Sequence, residues 1–164
     1  MLVYLDSSLI IKRYIEEEGT DLADYVFDKA AQGYLSLTYN LLNIGEVLGV
    51  FDRYFKRKLI TKDEFEDIKR KFVDETLRLI RLQRLTILPT SNMQQMAGWG
   101  LVLSERLYIV DAIQITSFSE INATLFISGD NYLVTIARKL GIAAFSTEES
   151  SEVLSEIKKS LLSS

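Results

Sequence analysis

The sequence predicts an α/β fold: a three-layer α/β/α sandwich around a central, mainly parallel five-stranded sheet. Three observations lead there. Short apolar runs bounded by turn residues recur at positions 2, 34, 85, 124 and 142, and each reads as a strand. Between them lie longer segments with apolar residues at helical spacing. That alternation implies parallel strands joined by helical crossovers on both faces. A single Pro and eight Gly leave no linker-like stretch, so one folding unit is expected.

The first strand is Leu2-Val3-Tyr4-Leu5, stopped by Asp6 and by Ser7 and Ser8, residues that cap helices. A short helix over residues 9–14 follows and breaks at Gly19. Thr20 caps a helix over residues 21–32, with Leu22, Ala23, Val26, Phe27 and Ala30 on its apolar face and Gly33 as its stop. Residues 34–37 are expected to form the second strand. Thr38-Tyr39-Asn40 then leads into a helix that is apolar almost all round, from Leu41 to Phe51, interrupted by Asn43 and Glu46 three residues apart. The charge-dense stretch 52–71 contains Thr61-Lys62-Asp63-Glu64, a capping box that opens a long amphipathic helix. These two helices should form a hairpin over residues 40–84. The third strand is Leu85-Thr86-Ile87-Leu88, ended by Pro89. A helix capped at Thr90 or Ser91 and another over residues 108–119 come next. Residues 124–128 form the fourth strand, followed by Gly129-Asp130, a helix to Leu140 and a stop at Gly141. Residues 142–145 are the fifth strand. The chain closes with a peripheral helix and fraying tail over residues 147–164, outside a main domain of residues 1–146.

Composition removes several chemistries. The chain has no Cys and no His, which excludes zinc sites of Cys/His type, thiol nucleophiles and Ser-His-Asp triads. Any metal must be held by oxygen, which favours Mg²⁺ or Mn²⁺. The net charge of −4 argues against an overall electrostatic grip on nucleic acid. The uncharged run 85–104 is long enough for a membrane span, but Pro89, Asn92, Gln94 and Gln95 argue against one. Asp6 interrupts too short an apolar stretch for a signal peptide. A soluble cytoplasmic protein is the expectation.

Four acids stand in apolar company. Asp6 ends the first strand and Asp130 follows the fourth. Glu46 lies within the apolar helix, and Asp111 is flanked by Ile109, Val110, Ala112 and Ile113. Desolvating an unpaired carboxylate costs several kcal/mol, on the order of the whole stability margin of a small domain. These segments offer few basic partners, so a shared divalent cation is the economical one. Taken singly, Asp6 and Asp130 also suit helix caps, Asp111 suits the start of its helix, and Glu46 suits the edge of its own. Together the four point to one site at the carboxyl ends of the strands, where open α/β sheets place ligands.

These residues resemble the PIN domain, the family that includes VapC-type toxin ribonucleases. Asp6-Ser7-Ser8 matches its opening motif. Glu46 in Asn43-Ile44-Gly45-Glu46 matches its helical Glu, and Asp111-Ala112 with Gln114 following matches its Asp-Ala motif. Ser128-Gly129-Asp130 is similar to its Thr-x-Asp. The match spreads from residue 2 to about 145. Some members carry a further acid just after the last Asp, at a position that is Val134 here. The resemblance implies an endoribonuclease dependent on Mg²⁺ or Mn²⁺, held by Asp6, Glu46, Asp111 and Asp130. It also implies an RNA substrate, an antitoxin protein as partner and a homodimer that uses the apolar residues of the hairpin. Ser8 and Ser128 would steady carboxylates or waters, Asn131 would contact phosphate, and Lys12 and Arg13 would grip the substrate. For Ser8, Ser128 and Asn131 the simpler role is helix capping. Tyr14, Tyr39 and Tyr132 suit base stacking or packing, and Trp99, beside Gly98 and Gly100, reads as core or helix packing. The competing reading is a catalytically inactive PIN-like binding or scaffold module. A phosphatase with Asp6 as nucleophile is disfavoured, because such enzymes carry a second Asp where this chain has Ser8.

Overall fold

A computed structural model describes residues 1–162. Five strands form one sheet: β1 (Leu2–Leu5), β2 (Ser36–Asn40), β3 (Leu85–Leu88), β4 (Leu125–Ser128) and β5 (Ala144–Ser146). Their order is β3-β2-β1-β4-β5, and each neighbouring pair is parallel. The connections are α1 (Ser7–Lys12), α2 (Thr20–Ala31), α3 (Leu41–Lys56), α4 (Lys62–Arg81), α5 (Asn92–Glu105), α6 (Ile109–Glu120) and α7 (Asn131–Lys139), with α8 (Ser150–Leu162) last. This is the three-layer α/β/α fold read from the sequence. The expected tail includes residues 163–164, which lie outside the described residues.

Apolar side chains fill both faces of the sheet. On one side, Leu5, Leu9, Val26, Leu37, Phe51, Phe72 and Val153 join β1 and β2 to α1, α2, α3, α4 and α8. On the other, Tyr4, Ala112, Phe118, Phe126, Val134 and Ala137 pack α6 and α7 onto β1 and β4. Tyr4 lies stacked on Phe126, with Phe118 edge-on to both. The strand order reverses at β1, whose neighbours are β2 and β4. A crevice opens at such a point, at the carboxyl ends of the strands. Asp6 follows β1 there, and Asp130 follows β4.

The sequence placed β2 too early. Thr38, Tyr39 and Asn40, read as the approach to a helix, belong to the strand and pair with Thr86, Ile87 and Leu88. Their polar atoms hide this from a hydropathy pattern, yet each is used. Thr38 donates to the Thr86 carbonyl at 2.9 Å, and Asn40 accepts from the Leu42 N–H at 2.9 Å to cap α3. The short first helix starts directly after Asp6 rather than at Leu9. α3 and α4 pack against each other, and Thr61 and Glu64 close the capping box that starts α4. Trp99 is not core: it is 57% exposed, on an α5 that also exposes Met93, Met96 and Leu103. Among the described residues no helix is long and apolar enough to cross a membrane.

Candidate active site

Asp6 is nearly buried and its carboxylate is fully engaged. Oδ1 accepts from the Ser7 N–H at 2.7 Å and from Gln114 Nε2 at 2.9 Å. Oδ2 accepts from the Ser8 hydroxyl at 2.5 Å and the Ser128 hydroxyl at 2.7 Å. Those donors come from α1, α6 and β4, so Asp6 knits three elements at the sheet's carboxyl edge. Ser8 also accepts from the Gly129 N–H at 2.7 Å, and Ser128 accepts from the Asp130 N–H at 3.0 Å. A Cβ on Gly129 would stand 3.1 Å from the Ser8 Cβ. A glycine there lets the β4 turn come close enough to bond Ser8.

Glu46 projects from α3 and accepts from the Ser7 hydroxyl at 2.5 Å. Ser7 in turn accepts from Asn43 Nδ2 at 2.8 Å, and Asn43 Oδ1 accepts from the Asn40 N–H at 2.8 Å. A chain of polar groups thus runs from the end of β2 to Glu46. Burial raises the Glu46 carboxyl above its usual value; the Ser7 hydroxyl opposes this, and the Asp6 charge adds to it. Asp130 caps α7, its Oδ1 accepting the Tyr132 and Leu133 N–H groups at 2.8 and 3.1 Å.

Asp111 lies in the first turn of α6, whose N-cap is Tyr108, so Asp111 is not the cap. No hydrogen bond to its carboxylate is found among the described residues. Burial, followed by repulsion from Asp6, Glu46 and Asp130, pushes it up to about 7. Asp6, Glu46 and Asp130 are thus each within electrostatic reach of Asp111. The set is all oxygen, which fits a hard divalent ion in chemistry and charge, and Arg53 acts on Glu46 but not on Asp111. The side chains as they stand do not close round one point: among the described residues no three acids form a ready metal cage. On Asp6, turning the Ser8 or Ser128 hydroxyl aside would free a lone pair on Oδ2.

The remaining sequence-derived candidates divide. Lys12 runs beside the β4 turn, with its Cε 3.5 Å from where a Gly129 Cβ would be. Its ammonium bonds Glu17 at 3.0 Å and the Glu18 carbonyl at 2.6 Å. Arg13 is bound elsewhere. It makes a paired contact with Glu75 at 3.0 Å on both nitrogens and also reaches Asp24 and Asp28. It therefore clamps α1, α2 and α4, and nothing brings it to the acids. Asn131 bonds Ser146 and Glu148, tying α7 to β5. Tyr14 and Tyr39 are packed, Tyr14 against Phe27, Phe51 and Phe72. Tyr132 is half exposed and donates to the Glu105 carbonyl. Val134 is buried in the core. A groove of about 850 Å³ between α5 and α6 is lined by Met93, Ala97, Leu101 and Ile115, and none of the four acids lines it.

Sequence reasoning makes Ser7 only a helix cap and gives no site role to Asn43 or Gln114. The signal for these two is present in the sequence. Asn43 and Gln114 are polar breaks in apolar helices, each three residues from an acid, and so on that acid's face.

No protein-family model matches the chain. No curated protein matches it either. Solved structures do. PAE2754 from Pyrobaculum aerophilum superposes with a TM-score of 0.67 at 14% identity, over 97% of this chain and 90% of that one. FitAcB from Neisseria gonorrhoeae gives 0.63 at 11%, over 88% and 97%. VapBC2 from Rickettsia felis, solved bound to a DNA fragment from its promoter, gives 0.58 at 14%, over 89% and 98%. VapC20 from Mycobacterium tuberculosis, described as a sarcin-ricin loop cleaving toxin, gives 0.55 at 15%, over 78% and 91%. At these identities the likeness is one of fold, and the fold is PIN- and VapC-like.

Proposed function

We propose that this chain, with its PIN-like fold, is a divalent-metal-dependent endoribonuclease acting as the toxin of a toxin–antitoxin pair in the cytoplasm. The observation that carries the reading is Asp111, driven up to about 7 by burial and by three acids that converge on it from other elements. Retaining such repulsion makes sense where a cation and a phosphodiester are to be handled. Asp6, Asp111 and Asp130 would hold Mg²⁺ or Mn²⁺, with Glu46 beside them. When bound, the ion supplies charge for the scissile phosphate and acidifies a water. Glu46 takes the proton of the attacking water, a role suited to a carboxyl already raised towards working pH. The water oxygen bonds to phosphorus, the P–O3′ bond breaks, solvent protonates the departing O3′, and Glu46 returns its proton to solvent, so the products carry a 5′ phosphate and a 3′ hydroxyl. Ser7 orients Glu46; Ser8 and Ser128 orient Asp6. Lys12 is the proposed phosphate contact at the edge of the site, on leaving Glu17.

An antitoxin protein is the proposed partner, in line with the two-component names of the VapBC2 and FitAcB structures. A homodimer belongs to the same proposal. The hairpin offers exposed Val73, Leu77 and Ile80, while α5 offers more, with Met93, Met96, Trp99 and Leu103 and no charge among them. One observation favours a second reading, an inactive binding module: the acids are not gathered into a metal cage.

The deciding experiment is cleavage of a structured and an unstructured RNA in Mn²⁺, Mg²⁺ or EDTA, with Asp6→Asn and Asp111→Asn alongside. Metal-dependent cutting lost in both variants is expected. Failure to cut, together with a melting temperature unmoved by Mn²⁺, would favour the binding module.

A further inference from the structure

Gln114 is fully buried on α6, one helical turn after Asp111. Its Nε2 donates to Asp6 Oδ1 at 2.9 Å. Its Oε1 is buried and accepts no hydrogen bond. An orphaned buried carbonyl is costly, and apolar side chains of similar length would avoid the cost. The amide's orientation is fixed by chemistry, since an ionised Asp6 can only accept. The fold therefore tolerates a loss at one end of this side chain while the other end grips Asp6. The grip has a geometrical consequence. The donors on Asp6 from Ser7, Ser8 and Ser128 all come from α1 and β4. Among the described residues, Gln114 is the one side chain whose hydrogen bond ties Asp6 to the helix that carries Asp111.

We propose that Gln114 is a positioning residue that sets Asp6 relative to Asp111, so that the two carboxylates can share one divalent ion. The inference rests on the nuclease reading of the four acids, and it names a residue that acts through Asp6 rather than on the ion or RNA. Gln114→Met keeps the length and apolar volume, removes the donor and removes the orphaned oxygen.

The test uses the full chain and two independent readouts. The first is hydrogen exchange of the Gln114 side-chain amide in metal-free protein, by NMR. Slow exchange in the wild type, lost in Asp6→Ala, is expected; fast exchange in the wild type would overturn the proposal. The second is Mn²⁺ affinity by calorimetry. Gln114→Met should bind Mn²⁺ about 10–100-fold more weakly, the usual effect of removing a residue that orients a ligand. Its melting temperature in EDTA should stay within about 3 °C of wild type, since the lost bond and the lost orphan offset each other. Added to Asp6→Asn, it should weaken Mn²⁺ no further, because its effect passes through Asp6. Unchanged affinity in Gln114→Met, or a full additional loss in the double variant, would overturn the proposal. A protected amide in a wild type that binds no Mn²⁺ would remove the nuclease reading and leave the Gln114–Asp6 link standing.

Discussion

Asp111→Asn should make the metal-free protein more stable at neutral pH while abolishing RNA cleavage. Asp111 has no hydrogen bond to lose among the described residues, and its carboxyl is pushed up to about 7 by burial and by Asp6, Glu46 and Asp130. In the unfolded chain an aspartate titrates near its ordinary value of about 3.9. Between roughly pH 4 and pH 7 the unfolded chain has given up a proton that folded Asp111 keeps. Stability of the wild type therefore falls as pH rises through that window and levels off above it. The full displacement corresponds to ~4 kcal/mol by linkage. Asp111 is only partly buried, and solvent screening reduces this to about 1–2 kcal/mol. Asparagine cannot titrate, so the gain should be near zero at pH 4, grow steadily and reach its plateau above pH 7. Urea unfolding in EDTA from pH 4 to 8 measures the difference directly. Mn²⁺ should reverse the ranking by stabilising the wild type more. A variant no more stable than wild type at pH 7.5, or an offset that does not change with pH, would refute the convergence of the four acids.

Other perturbations test other parts of the structure. Arg13→Met should cost about 1–2 kcal/mol in urea unfolding: against the effect of burial, Arg13 does most to hold Glu75 below its usual value, and without it Glu75 keeps only Tyr14 and the more exposed Arg78. Its KM for RNA should stay unchanged, and a raised KM in a fully folded variant would return Arg13 to the substrate. Ser7→Ala removes the hydroxyl that holds the Glu46 carboxyl down, so the acid limb of the pH–rate profile should move to higher pH, at a stability cost of about 1 kcal/mol. An unmoved limb would separate Glu46 from the proton transfer. Met96→Glu places a charge on the exposed apolar face of α5 and should convert a dimer to monomer in sedimentation velocity; an unchanged dimer would move the interface to another surface.

The sequence by itself determined the alternation of strands and helices, because apolar runs and helical spacing are local and the core demands them. It also singles out four acids as candidates, since charge in apolar surroundings is conspicuous in any order of residues. β2 was misplaced because Thr38 and Asn40 satisfy their polarity through the Thr86 carbonyl and the α3 cap, partners that local pattern does not contain. Trp99 is 57% exposed, and apolar surroundings in sequence do not say which face of α5 is covered. Lys12 and Arg13 are adjacent in the chain, yet only tertiary packing sends one along the β4 turn and the other into the acids of α2 and α4. The same holds within the site. That Ser7 serves Glu46, and that Gln114 reaches 108 positions back to Asp6, follows from the meeting of α1, α3 and α6 at one edge of the sheet. Residue identity sets which groups can bond, and the fold alone decides which of them meet.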